Sequence, residues 1–206
     1  MNRTSFPSSR LRRRLGSLLA SAAVATALLP ANALAQDSAR SAAPKVRLST
    51  SMGDIVLELY PDKAPKTVDN FLQYVRDKHY DGTVFHRVMD NFMIQGGGFT
   101  ADLQQKPPKA PIPLEAMNGL KNDRGAIAMA RTPSPHSATA QFFINVVNNP
   151  NLNAPMPDGY GYAVFGQVVT GIDVVDKIRA VPVGNQGTHQ NVPKTPITIL
   201  KATLEK

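Results

Sequence analysis

Val84-Phe85-His86-Arg87-Val88-Met89-Asp90-Asn91-Phe92-Met93-Ile94-Gln95-Gly96-Gly97-Gly98 sets one arginine in a mostly apolar run and follows it with an amide and three glycines. Side chains on a strand alternate between two faces, so Val84, His86 and Val88 are expected on one side and Phe85 and Arg87 on the other. Asp90-Asn91 reads as a turn, after which Phe92 to Gln95 forms a second short strand. If the two runs pair, Arg87, Phe92, Met93 and Gln95 share a neighbourhood: an apolar pocket with one fixed cation and one amide. The plainer alternative is an arginine snorkelling from a strand edge beside a glycine bulge.

Upstream, Val46 and Leu48, then Ile55, Leu57 and Leu59, alternate around a turn at Met52-Gly53-Asp54, which predicts a β-hairpin. Pro65 suits the first turn of a helix, and Val68, Phe71, Leu72 and Val75 give that helix one apolar face. Downstream, residues 99–120 carry four prolines and little periodicity, which predicts an ordered surface loop. GAIAMA (125–130), AQFFINVV (140–147) and YAVFGQVV (162–169) read as buried strands, with turn-rich connections at 131–139 and 148–161. Within the second of these strands, Phe142 and Ile144 belong to the core and Phe143 faces outward. Ile172, Val175 and Ile178 predict a short helix ending near Arg179. Residues 192–204 predict a closing strand with Leu200, Ala202 and Leu204 on one side. Many strands and two helices point to one closed or nearly closed β-barrel capped at its ends.

The 206 residues are 42% hydrophobic and include no cysteine, so a packed core must hold the fold and no thiol can act as nucleophile. Residues 1–35 differ from the rest: five arginines, an uncharged run at 15–29, and Ala33-Leu34-Ala35 predict a secretory signal cleaved before Gln36. The uncharged run falls short of the about 20 residues of a membrane span, so no stable anchor is expected after cleavage. Residues 36–44 read as a flexible leader and 45–206 as the single domain. Without residues 1–35 the formal net charge drops from +8 to +3, and no basic stripe remains to bind nucleic acid.

Other chemistries fit poorly. His79, His86, His136 and His189 lack metal-ligand spacing, so neither a metal nor another cofactor is expected. Ser134, His136 and Ser137 are close in sequence but have no strand-to-helix nucleophile elbow. Gly96-Gly97-Gly98 lacks the Lys-Ser/Thr of a phosphate loop and is better read as letting backbone approach closely.

The blocks FHRVMDNFMIQGGG, GAIAMARTPSPHSATAQFFINV and YAVFGQVVTGIDVVDKI, in that order, resemble those of the cyclophilins, the peptidyl-prolyl cis-trans isomerases, in their bacterial secreted or periplasmic branch. The resemblance covers residues 45–206. It implies a closed eight-stranded antiparallel β-barrel with a helix at either end and a site on its outer face. By position, it implies Arg87 as the catalytic guanidinium and Phe92, Met93, Phe143 and Leu152 as the pocket for the substrate's proline ring. Gln95 and Gln141 would hold the peptide by side-chain hydrogen bonds, Ala130 and Arg131 by backbone, with Thr132 in the adjoining groove. Tyr162 stands where the family often has a histidine, and Asn151, beside Leu152, where many members have tryptophan; weak cyclosporin binding is the expected consequence.

The expected activity is rotation about X-Pro bonds of exported or unfolded polypeptides by a monomer, in the periplasm or released from the cell. The alternative is a binding module or chaperone of the same fold that grips proline-containing segments without turnover, and a secreted effector directed at a host stays open beside it. The barrier to rotation is about 18–20 kcal/mol because the C–N bond is partly double, and lowering it needs no covalent intermediate, metal or redox group. As the bond twists, the proline nitrogen becomes pyramidal and accepts a hydrogen bond, which a guanidinium can donate without losing its charge.

Overall fold

A computed structural model describes residues 43–205; the signal expected at 1–35 and most of the leader expected at 36–44 lie outside the described residues. Strands β1 (Lys45–Thr50) and β2 (Gly53–Leu59) form the expected hairpin, with Ser51 and Met52 at its turn. The Thr50 hydroxyl fixes that turn, donating to the Gly53 carbonyl at 2.6 Å and accepting from the Met52 amide at 3.1 Å. Helix α1 (Pro65–Arg76) starts at a proline and has no acidic residue in its first turn. Glu115, from the long loop, supplies the missing acceptor: its carboxylate takes the amides of Lys66 and Thr67 at 3.2 and 2.9 Å and the Thr67 hydroxyl at 2.7 Å.

The remaining elements are β3 (Thr83–Met89), β4 (Met93–Gly96), β5 (Ala126–Met129), β6 (Phe142–Asn145), β7 (Val164–Thr170), α2 (Ile172–Arg179), β8 (Val183–Gln186), β9 (His189–Pro193) and β10 (Thr198–Leu204). Eight of the strands close into a barrel in the order β1-β10-β3-β4-β6-β5-β7-β2, every neighbouring pair antiparallel. Closure pairs every barrel strand on both sides and so removes the sheet edges. Both helices turn apolar faces inward: Val68, Phe71, Leu72 and Val75 of α1, and Val174, Val175 and Ile178 of α2, join the interior cluster with Ile55, Leu57, Ile94, Phe142, Ile144 and Phe165. This is the capped eight-stranded barrel expected from the sequence.

Three local expectations need correction. Phe85 and Arg87 do not share a face. Phe85 pairs with Gly96 and Arg87 with Gln95, so the strand gains one residue at His86. That bulge keeps Phe85 in the interior with Val88 while Arg87 emerges outside. A similar irregularity in β10, where Ile199 faces Thr50 and Lys201 faces Ser49, leaves Leu200 unpaired. Leu200 is exposed, as is Leu204 at the strand end, and Ala202 alone of the expected trio is buried. The closing segment is also two strands, not one, because β9 pairs with β8 in a separate hairpin before β10 enters the barrel.

Candidate active site

The bulge in β3, the short strand β4 and the outward residue of β6 converge on the barrel's outer face. There Arg87, Phe92, Met93, Gln95, Ala130, Arg131, Phe143, Leu152 and Tyr162 line a cavity of about 230 Å³. Sites that engulf a drug-sized molecule run to about 300–1,000 Å³, so this one suits a single ring. Met93, Phe143, Leu152, Ala128 and Val164 form an apolar cluster of their own, separate from the barrel interior, with Phe92, Ala130 and Tyr162 packed against it. Phe143 faces out from the barrel as alternation requires, yet it is only 4% exposed, because the outer cluster covers it. Its ring meets the edge of Tyr162 at 5.6 Å.

The polar wall is a short relay. Arg87 Nη1 donates to Gln95 Oε1 at 3.4 Å, and Gln95 Nε2 donates to Gln141 Oε1 at 2.9 Å. Among the described residues no carboxylate pairs with Arg87, so its guanidinium keeps donors for another acceptor. Gly98 makes room for the relay, since a Cβ there would lie 2.5 Å from Gln141 Cγ. Gln141 thus adjoins the cavity through Gln95 without lining it. Thr132 also lies outside the lining; its amide and hydroxyl both engage the Ser137 hydroxyl, at 3.0 and 2.8 Å.

Arg131 was expected to act through its backbone, and its side chain turns out to be a structural clamp, 1% exposed. Nη2 donates to both Asp158 oxygens at 2.8 and 2.7 Å, Nε donates to the Gly161 carbonyl at 3.0 Å, and the guanidinium lies 4.6 Å from the Tyr162 ring centre. This bond holds the Asp158 carboxyl below the usual carboxylate range. On the opposite wall, three buried asparagines tie the backbone of the pocket together. Asn149 Nδ2 donates to the Phe92 carbonyl and to Asn145 Oδ1, both at 2.8 Å. Asn145 Nδ2 reaches Asn122 Oδ1 at 3.2 Å, and Asn122 Nδ2 reaches the Leu152 carbonyl at 3.2 Å. Sequence reasoning missed this set. The available signal was Asn145, an amide at the end of an otherwise apolar strand, where burial demands partners.

Larger cavities of about 410, 440 and 300 Å³ lie elsewhere; only the last contains an arginine, Arg124, and its guanidinium is tied to the Asp176 carboxylate. What distinguishes the Arg87 cavity is a pre-set cation facing an apolar floor. Residues 45–204 match the family profile described as "Cyclophilin type peptidyl-prolyl cis-trans isomerase/CLD". The chain belongs to the cyclophilin-type peptidyl-prolyl cis-trans isomerases. It is 60% identical over 161 residues to the isomerase cyp18 of Streptomyces antibioticus, covering 77% of this chain and 97% of that one. It is 55% identical to isomerase B of Escherichia coli K12, covering 78% and 99% respectively. Among solved structures, a cyclophilin type isomerase of Cryptosporidium parvum superposes with a TM-score of 0.67 at 26% identity, over 80% of this chain and 98% of the other. A structure of the same parasite protein in the presence of the dipeptide Ala-Pro gives 0.66 at 27% identity, over 79% and 99%. This cyclophilin accordingly accelerates cis-trans exchange about X-Pro bonds, and proline-containing polypeptides are its substrates.

Proposed function

We propose that Arg87 is the catalytic residue of this isomerase. The supporting observation is a guanidinium beside a ring-sized cavity floored by Phe92, Met93, Phe143 and Leu152, bonded only to a neutral amide among the described residues. The proline ring enters between Phe92, Met93, Phe143 and Leu152, and the carbonyl side of the bond rotates. Arg87 donates to the pyramidal proline nitrogen as conjugation is lost, while Gln95, anchored by Gln141, sets the angle of the guanidinium. Ala130 and Arg131 offer backbone groups to the extended peptide, with Thr132 at the margin of the groove. No proton is transferred and no covalent bond is broken.

The test is the cis-to-trans rate of a chromogenic X-Pro peptide. Arg87→Ala should lower kcat/KM by about 10²–10³, as removal of a pre-organised donor does. Arg87→Lys should lower it about ten- to hundredfold, because a point charge cannot reproduce the fork. A wild type at the uncatalysed rate would favour a binding module.

Export is also proposed, on the arginine-rich start, uncharged run and Ala33-Leu34-Ala35 of the sequence. The mature protein then acts as a monomer in the periplasm or outside the cell, on clients that have crossed the membrane. Its N-terminus, read by mass spectrometry from the exported fraction, should be Gln36. With Asn151 where many members carry tryptophan and Tyr162 where the family often has histidine, cyclosporin binds weakly.

A further inference from the structure

The cavity of about 410 Å³ is walled by Lys63, Leu114, Glu115, Met117, His136 and Tyr160, among others. Met117 is 80% exposed and Tyr160 46%, two large apolar side chains set against water at one place. A flexible thioether and a tyrosine ring make an adaptable surface for other apolar groups. The charge here is one-sided. Glu115 is engaged with the start of α1, whereas Lys63 has no ion-pair partner among the described residues. His136 Nδ1 accepts the Leu114 amide at 3.1 Å, which leaves Nε2 as the donor.

No residue lines both this cavity and the proline pocket, but two loops contribute to each. The loop after β5 begins with Arg131, in the proline pocket, and reaches His136, in the second cavity. The loop before β7 places Tyr160 in one and Tyr162 in the other. Asp158 binds the two loops together, accepting from Arg131 Nη2 at 2.8 Å and from the Tyr160 amide at 3.2 Å. A polypeptide seated by its proline and leaving across this seam runs into the second cavity.

We propose that the second cavity is a client subsite, taking an apolar side chain next to a carboxylate from the same polypeptide whose proline is being isomerised. Met117 and Tyr160 cover the apolar group, and Lys63 meets the acid. The inference rests on the proline pocket being the catalytic site, and the experiment separates the two. Substrates are a chromogenic tetrapeptide and longer Pro-peptides carrying either Phe-Glu or Ser-Gly at matched distances on each side of the proline. Wild type should prefer a Phe-Glu peptide about five- to tenfold in kcat/KM, the scale of burying part of one large side chain. A Met117→Ser, Tyr160→Ser double variant should lose that preference and keep full tetrapeptide activity. Lys63→Gln should lose part of the preference. Phe-Glu peptide, but not Ser-Gly peptide, should also shift the Met117 methyl resonance. A wild type without preference, a preference that survives the double variant, or an equal loss on the tetrapeptide would overturn the proposal. An inactive wild type whose Met117 methyl still responds selectively would instead refute catalysis and retain the subsite.

Discussion

His86 is the residue that turns a regular strand into a site. Its insertion between Phe85 and Arg87 lets neighbouring positions serve opposite sides of the barrel wall. The imidazole is buried among Phe99, at 4.6 Å between ring centres, His189 at 6.5 Å and the adjacent Arg87, and its Nδ1 has no partner. Desolvation first, then the charges of His189 and Arg87, push its pKa down to about 4. The fold thus holds the neutral form, whereas the unfolded chain takes up a proton near pH 6.5. Stability from this group is full above about pH 6.5, falls as the pH drops, and reaches its limit near pH 4, a loss of about 3 kcal/mol. His79, lowered chiefly by burial and then by Lys106, acts in the same direction. Denaturant titrations of wild type and His86→Leu across pH 7 to 4 should show a flatter acid limb for the variant; parallel curves would assign the loss elsewhere. Alternation placed Arg87 in a pocket with Phe92, Met93 and Gln95, but it could not show that Phe85 turns inward, because a bulge comes from pairing across strands.

At the scale of elements, the loop between β6 and β7 is held at two points: by Arg131 to Asp158 and Gly161, and by the asparagines beneath Phe92 and Leu152. Asp158→Asn keeps the shape but removes the charge of a carboxylate whose two oxygens both accept from Arg131 Nη2. Tyr162 and Leu152 should lose their fixed position, raising KM and lowering kcat/KM up to about tenfold, with the fold intact by circular dichroism. Unchanged kinetics would make the clamp a stability feature only. This long-range pair was invisible in the sequence, since nothing local links residues 131 and 158. By contrast, α1, α2 and the first hairpin were legible because each carries its own period: Val68, Phe71, Leu72 and Val75 lie on one helical face, and Ile55, Leu57 and Leu59 on one strand face. Strands β8 and β9 were not, because VGNQ and HQNVP are largely polar and, apart from Val192 and Pro193, only partly buried, leaving no periodicity to read.

The whole molecule separates stability from function by placing two apolar clusters on opposite faces of one sheet. Consecutive residues of β6 belong to different clusters: Phe142 packs inside with Phe71, Tyr80 and Phe85, and Phe143 outside with Met93, Leu152 and Tyr162. Closing the barrel makes this division possible, since strands paired on both sides can present one face to a filled interior and the other to a ligand. Phe142→Leu removes aromatic contacts on three sides in a close-packed interior and should cost about 1–3 kcal/mol of stability, while kcat/KM on a short peptide stays near wild type in the folded fraction. Phe143→Leu changes the shape of the proposed proline pocket, whose open side allows relaxation, so it should cost less stability and lower kcat/KM several-fold, about 1 kcal/mol of lost ring contact. Chemical denaturation and peptide kinetics on the two variants measure both quantities. If Phe142→Leu proved the more damaging to catalysis in the folded state, the interior would be setting the pocket geometry directly, and the separation of the two faces would fail.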